Sequence, residues 1–267
     1  MDNLILYCIF IISWSCLGFV VSRVIRRNDI ADIMWGAGVF VISCLHVYIA
    51  PVVDIRSILV FCFIIFWAFR LSFLILFRFS KNKEDKRYHA WRVSWGSREP
   101  IYAFFQIFLL QTFLLSIVSL PLFWITNYSV SLISYWDFIG VSLAIIGLVF
   151  EMVSDKQMDN FRKKSSEGEI LDEGLWSLCR HPNYFGEVLF WWGVFFFAMS
   201  VDKGILSIVS PLLTTYLLVK VSGVPMLERF LSQKGQAFER YLIAVPRKLL
   251  PFGMKDVYTF FLLLIVL

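Results

Sequence analysis

The chain has 267 residues; 59% are hydrophobic, 17% are charged and the mean hydropathy is +0.73. Soluble domains average roughly 45–50% apolar and about 25% charged, and large exposed apolar patches do not persist in water, so composition excludes a soluble globular protein, a disordered chain and a disulfide-stapled secreted domain. A polytopic membrane protein remains, and the formal charge of +5 matters less by its size than by where the basic residues fall.

A membrane-spanning helix needs about 20 mostly apolar residues. Seven stretches come close: Leu4–Ser22, Ile33–Val53, Ile58–Phe79, Ile101–Ile125, Leu132–Val153, Tyr184–Ser200 and Gly204–Val221. The first is read as a retained span, because no basic region precedes it and no cleavage site follows. The final run, Val257–Leu267, is short for a span and is expected to be an interfacial tail. Alternate connections carry 21 of the 25 Lys and Arg residues, against two on the other side. By the positive-inside rule this places the N-terminus outside and the long polar loops in the cytosol. The expected fold is therefore all-α: a polytopic helix bundle of about seven transmembrane helices forming a single membrane domain over residues 1–267. No internal repeat or low-complexity linker interrupts it.

Five cysteines, Cys8, Cys16, Cys44, Cys62 and Cys179, form no CxxC pair and suggest neither a disulfide framework nor a zinc site. The first four lie in apolar runs and are expected to be buried small hydrophobes. His46 stands by itself in the second span, and the three histidines have no metal-ligand spacing, so no metal is assigned. The usual nucleotide and hydrolase motifs are absent: "WGAG" at Trp35–Gly38 lacks a third glycine, and there is no GxxxxGK[ST], HExxH or GxSxG.

Four polar segments carry the candidate chemistry. In the third span Arg70 lies near the middle, which is costly unless it is paired or faces a polar cavity, while Arg78 can snorkel to the headgroups. Just beyond, Glu84, Asp85, Arg87 and Tyr88 cluster, and Tyr88 is a candidate proton donor or an interfacial anchor. Leaving the fifth span, Glu151, Asp155, Asp159 and Arg162 share one helical stripe; Arg162 and Lys163 suit a phosphate. Around the sixth span runs "EGLWSLCRHPNYFGEVLFWWG". Pro182 is suited to a first helical turn, Arg180 and His181 flank that helix N-terminus as an anion site, and Asn183 and Glu187, with Tyr184 adjoining, fall on one face. Glu187, one turn inside the span, is a functional candidate or a helix-pairing partner of Arg70. Finally, Leu227, Phe230, Leu231, Phe238, Tyr241 and Leu242 recur at helical spacing and predict an amphipathic helix on the membrane surface.

These strings resemble the DUF1295 family, which belongs with the steroid 5-alpha-reductase-like membrane proteins. The resemblance is carried by "GLWSLCRHPNYFGE" with "WWG", by "EDKRY" and "SDKQMDNFRKK", and by "SGVPMLERF" and "RYLIAVPRKLLP", over about residues 32–251. It implies a helix bundle holding NADPH in a cytosol-facing cavity and reducing a carbon–carbon double bond of a lipophilic, steroid- or isoprenoid-like substrate. It implies that Arg70, Asp155, Arg162 and Asn183 contact the cofactor, with Lys163, Arg180, His181 and Tyr241 as further cofactor-side candidates. Glu187, Tyr88, Tyr184 and Asp32 are the candidate catalytic residues; Asp32 lies near a substrate-binding Glu of the reductases. One departure matters: the reductases carry a substrate-facing Tyr three residues before the arginine, and here that position is Trp67. Trp67 cannot deliver a proton, so either Tyr88, Tyr184 or Asp32 has to, or the substrate is not a steroid enone. The "RHPNY" core is also similar to that of isoprenylcysteine methyltransferases, which leaves a membrane S-adenosylmethionine-dependent methyltransferase as the alternative, with a non-enzymatic lipid-binding protein as a third reading. Expected partners are the lipophilic substrate and membrane lipid, with no nucleic acid.

Overall fold

A computed structural model describes residues 2–81, 83–128, 133–166 and 168–249. The chain divides into two compact units, residues 1–133 with 201–207, and residues 134–200 with 208–267. The described residues contain helices and no strand. The predicted tail Val257–Leu267, and Leu132 at the start of the fifth predicted span, lie outside the described residues.

In the first unit, α1 (Asp2–Ile25), α2 (Ile30–Tyr48) and α3 (Ile55–Lys81) follow the first three apolar runs. Helices α2 and α3 pack closely because Gly36 has no side chain: a Cβ there would collide with Ser72 and approach the Ala68 carbonyl to 3.0 Å. The fourth predicted span begins much earlier than its apolar run. A nearly continuous helical segment, Lys86–Val118, joins α4 (Lys86–Trp95), α5 (Glu99–Tyr102), a wider π-helical turn at Ala103–Leu109, and α6 (Leu110–Val118). The polar loop expected over Ser80–Pro100 is thus largely helical. Asp85 explains this start, since its carboxylate caps α4 by accepting the Arg87 N–H at 2.8 Å. The chain breaks at Ser119, and α7 (Leu120–Tyr128) resumes with Pro121 in its first turn, where a missing N–H costs nothing.

In the second unit α8 (Tyr135–Lys164) is closed by a capping box in which the Ser134 N–H donates to Asp137 Oδ2 at 2.7 Å and Ser134 Oγ accepts from the Trp136 N–H. Thirty residues span about 45 Å, well beyond a hydrocarbon core of about 30 Å, so one end of α8 projects past it. The one-turn helix α9 (Leu175–Leu178) precedes α10 (Pro182–Ala198), the sixth predicted span. Helix α10 has 17 residues and is buried on nearly every side, which marks a core helix. Gly140 and Gly147 of α8 face Gly193 and Gly186 of α10; a Cβ on Gly147 would sit 2.6 Å from the Gly186 carbonyl oxygen. Small residues seven apart on both helices let the backbones touch, the usual way helices associate without a hydrophobic driving force. Helix α11 (Val209–Tyr216) runs through a second π-helical turn, Leu217–Val221. The predicted amphipathic helix is two, α12 (Val224–Ser232) and α13 (Gln236–Ala244), separated where Gly235 adopts φ +56°.

Six described helical segments are long and apolar enough to cross a membrane: Asn3–Ile25, Ile30–Tyr48, Ile55–Lys81, Lys86–Val118, Tyr135–Lys164 and Gly204–Ser232. Their outer surfaces are apolar. Phe66, Phe69, Phe73 and Phe77 are exposed along α3, whereas Trp67, Trp191 and Trp192 are fully enclosed. Two expectations need correction. Cys8, Cys16 and Cys62 are exposed on the bundle surface, because a lipid-facing position is as hospitable to a thiol as a core. His46 is not isolated: its Nδ1 meets the Tyr7 hydroxyl at 2.7 Å and its Nε2 the Ser119 hydroxyl at 2.9 Å, which satisfies both nitrogens of a buried ring.

Candidate functional site

In the first unit a layer of charge ties the α1–α2 turn to the segment around α4. Arg27 grips the Asp29 carboxylate with two bonds, 3.0 and 2.7 Å, and donates to the Phe79 carbonyl at 3.1 Å. Asp29 in turn accepts the Asp85 N–H at 3.0 Å. Glu84 accepts the Asn28 N–H at 2.8 Å and Arg92 Nη2 at 2.6 Å. Glu99 accepts from Arg23 and from Asn28 Nδ2. These contacts hold α4 over the start of α2 and set Tyr88 against Asp32.

The result is a compact acid–phenol pair. The Tyr88 hydroxyl donates to Asp32 Oδ1 at 2.5 Å, within the range of strong O–H···O contacts to a carboxylate. Arg87 Nη2 donates to Asp32 Oδ2 at 3.0 Å and its Nε to Asp85 Oδ1 at 3.0 Å. Gln111 Nε2 reaches the same phenol oxygen at 3.4 Å. Tyr88 is buried, and Asp32 is partly buried. Beside the pair, Gln111 and Thr112 join Trp14, Ala31, Met34 and Phe108 around a cavity of about 10 Å³, room for about one water. Two of the four candidate catalytic residues, 56 positions apart in the chain, thus share one hydrogen bond. Arg70 is half-buried on α3, three residues beyond the fully buried Trp67.

In the second unit Pro182 opens α10, as its position in the sequence predicts. Arg180 and His181, immediately before it, converge on Glu228 of α12. Arg180 Nε donates to Glu228 Oε1 at 2.9 Å, and His181 Nε2 lies 3.3 Å from the same oxygen. Lys248 Nζ lies 3.3 Å from Glu228 Oε2. Arg180 Nη1 also donates to the carbonyls of Val245 at 3.0 Å and Pro246 at 2.9 Å, and the Arg180 N–H donates to the Arg247 carbonyl. Arg180 therefore clasps the end of the described chain. The anion-binding role expected of it competes with four contacts inside the protein. Glu228 enters the sequence reading only as the acidic residue, with Tyr241, of the C-terminal helix that the methyltransferase alternative shares. Locally it is one acidic residue on an amphipathic helix, and nothing nearby signals partners 47 and 48 positions upstream.

The ring of His181 stacks on Tyr184, with centroids 5.6 Å apart and an interplanar angle of 22°. Burial lowers the His181 pKa below its ordinary value, with Glu228 opposing and Arg180 and Lys248 assisting the shift. The shift favours the neutral ring. Burial pushes the Cys179 thiol up to about 11, so it is no nucleophile at neutral pH. Burial also raises the Tyr241 pKa, and its hydroxyl points at the Trp176 carbonyl at 3.4 Å. Two buried acceptors at this end, His181 Nδ1 and Asn183 Oδ1, have no hydrogen-bond partner among the described residues. Glu187 is half-buried on α10. Asp155 is half-buried on α8, and Arg162 and Lys163 are exposed in its last turn. Among the described residues no group of His, Cys, Asp and Glu could hold a metal ion.

Six apolar helices of spanning length, an apolar outer surface and buried polar clusters define a multi-pass integral membrane protein. The chain belongs to the DUF1295 family, described as a protein of unknown function, whose model matches residues 18–244. No curated protein and no solved structure matches the chain.

Proposed function

We propose that the chain is an NAD(P)H-dependent oxidoreductase that reduces a carbon–carbon double bond in a lipophilic, steroid- or isoprenoid-like substrate. One observation carries this reading: the 2.5 Å contact between the Tyr88 hydroxyl and Asp32. The family resemblance requires a proton donor that Trp67 cannot be, and the acid–phenol pair supplies one. Its neighbours suit the task. Arg87 secures the far oxygen of Asp32, and Gln111 touches the phenol from the side of the small cavity. A substrate oxygen docked on the phenol would take its proton as negative charge develops there, the ordinary role of a general acid.

NADPH, when bound, supplies the hydride. The residues present fit such a molecule at two points. Asn183 Oδ1 is a buried acceptor lacking a donor, suited to a carboxamide N–H. Arg162 and Lys163 are exposed side by side at the end of α8, and such cations are natural phosphate partners. Both points rest on a cytosolic location of the long polar segments, which the basic-residue bias supports. Arg180 instead orders the protein around Glu228.

The test is ligand-dependent stabilisation of the purified protein in detergent, followed by NADPH oxidation with enone lipids. Stabilisation by NADPH and an oxidation rate lost in Tyr88→Phe are expected. Stabilisation by S-adenosylmethionine with none by NADPH would replace this reading with the membrane methyltransferase one.

A further inference from the structure

The turn between α1 and α2 holds an arginine in an unusual backbone conformation. Helix α1 ends at Ile25, Arg26 adopts φ +56°, and the Arg27 N–H returns to the Ser22 carbonyl at 3.0 Å. This is a Schellman end, and its left-handed position normally falls to glycine, which has no Cβ to strain. An arginine there costs conformational energy that glycine would not, and such outliers point to a use. Its side chain is exposed. Arg27 sets what surrounds it. The Arg27 guanidinium donates to the carbonyls of Phe79 at 3.1 Å and Lys83 at 3.3 Å, and lies 3.6 Å from the centroid of the Phe79 ring. The turn is thereby fastened to the end of α3, where Lys81 and Lys83 are also exposed. Arg26, Lys81 and Lys83 thus share one edge of the first unit.

The acids at this end do not neutralise that edge. Asp29, Asp32, Glu84, Asp85 and Glu99 are each engaged by Arg23, Arg27, Arg87 or Arg92. Immediately beneath the three cations the surface turns apolar. Lys81 Nζ sits 3.9 Å from the ring centroid of Phe77, which is 50% exposed, and Val24, two residues before Arg26, is 77% exposed. Val20 and Phe73, one turn further down their helices, are exposed as well. On spanning helices, a change from exposed apolar to exposed basic side chains marks the boundary between hydrocarbon and headgroups. We propose that Arg26, Lys81 and Lys83 form a binding surface for the headgroup phosphate of an anionic phospholipid, whose acyl chains lie along Val20, Val24, Phe73 and Phe77. A soluble phosphate compound matches the charge alone, whereas an anionic lipid matches both the charge and the apolar surface beneath it. Basic residues beside a span attract such lipids at the cytosolic leaflet, the side on which the basic-residue bias places this turn. The surface is independent of the reductase reading, in which none of the three cations takes part.

The test uses the whole chain in neutral detergent, with native mass spectrometry and the unfolding midpoint as readouts. Phosphatidylglycerol is expected to bind and to raise the midpoint more than phosphatidylcholine of the same chain length, and to do so less as salt rises and screens the contact. Arg26→Gly, Lys81→Gln and Lys83→Gln are each expected to weaken phosphatidylglycerol binding about fivefold, the effect of one basic residue at an anionic surface. Arg26→Gly is the sharpest of the three. Glycine suits the left-handed backbone, so the lipid-free midpoint is expected to stay in place while lipid binding falls. Lys156→Gln, which alters an exposed cation on α8 of the second unit, is expected to leave binding unchanged. Equal binding of the two lipids overturns the proposal. So does a midpoint raised as much by glycerol 3-phosphate, which would make the surface one for soluble phosphates. A loss in Lys156→Gln equal to that in the three variants overturns it too, since binding would then follow net charge. A lowered lipid-free midpoint in Arg26→Gly with phosphatidylglycerol binding intact is equally fatal, because the arginine would then serve only the helix end.

Discussion

The two units each hold a polar cluster built from the same kinds of residue, an acid, an arginine and an aromatic ring, yet the clusters are opposite in what they retain. Around Asp32 a proton is held between two oxygens: Tyr88 donates it at 2.5 Å while Arg87 braces the carboxylate from behind. Around Glu228 the donors are consumed. Arg180 is tied to Glu228, Val245 and Pro246, Lys248 faces the other oxygen, and what remains is two bare acceptors, His181 Nδ1 and Asn183 Oδ1. The first cluster has a proton to give, and the second has lone pairs to fill. The contrast teaches that residue type does not disclose role in an apolar bundle; the leftover hydrogen-bond capacity does.

The largest expected effect breaks the second cluster. Glu228→Ala leaves Arg180 largely buried without its acid, a loss of about 3–5 kcal/mol by analogy with other buried pairs, seen as a lowered unfolding midpoint of the purified protein. The first cluster is broken chemically instead. Tyr88→Phe removes the proton and is expected to cut the reduction rate about 100-fold or more, with NADPH affinity nearly unchanged and the unfolding midpoint lowered by the loss of one hydrogen bond to a carboxylate, about 1.5–3 kcal/mol. A rate that survives this change would assign the proton to another group and undo the contrast.

A pH series sharpens it. The His181 pKa is lowered in the folded state, chiefly by burial. Such a group contributes stability that is complete above the unfolded value, about 6.5 for histidine. That contribution is lost as pH falls from there toward the folded value, because the unfolded chain takes up the proton first. The wild-type midpoint should therefore drop between pH 7 and pH 5 more steeply than that of His181→Phe. Parallel slopes would show that the ring is not the buried neutral group described. The smallest effect concerns Arg162→Ala and Lys163→Ala. Exposed side chains of this kind change stability by no more than about 0.5 kcal/mol, so a weakened, more salt-sensitive NADPH affinity with an unmoved midpoint is the expected signature of phosphate contact. Unchanged affinity would remove both residues from the cofactor.

Much of the architecture is legible in the sequence because hydropathy is a local property. The apolar runs reappear as helices, Pro182 starts α10 as its missing N–H dictates, and Tyr88 and Asp32 each stand out as candidates. The start of the fourth long segment is less legible. Its polar first turns at Lys86–Trp95 look like a loop until the Asp85 cap and the clamp from Arg27, Asp29 and Glu84 are in place. Glu228 and the satisfied His46 are illegible for a different reason, since their partners come from distant parts of the chain.

A multi-pass membrane protein, the places of most of its helices and the few charges in or beside apolar surroundings can all be read along the chain. Those properties follow from the cost of placing polar atoms in hydrocarbon, and that cost is counted residue by residue along the chain. Which of those charges meet depends on how the helices pack. Asp32 found Tyr88 across 56 positions and Arg180 found Glu228 across 48. Such pairings arise because α2 with α4, and the start of α10 with α12, are brought together in space, and no local pattern encodes the partner.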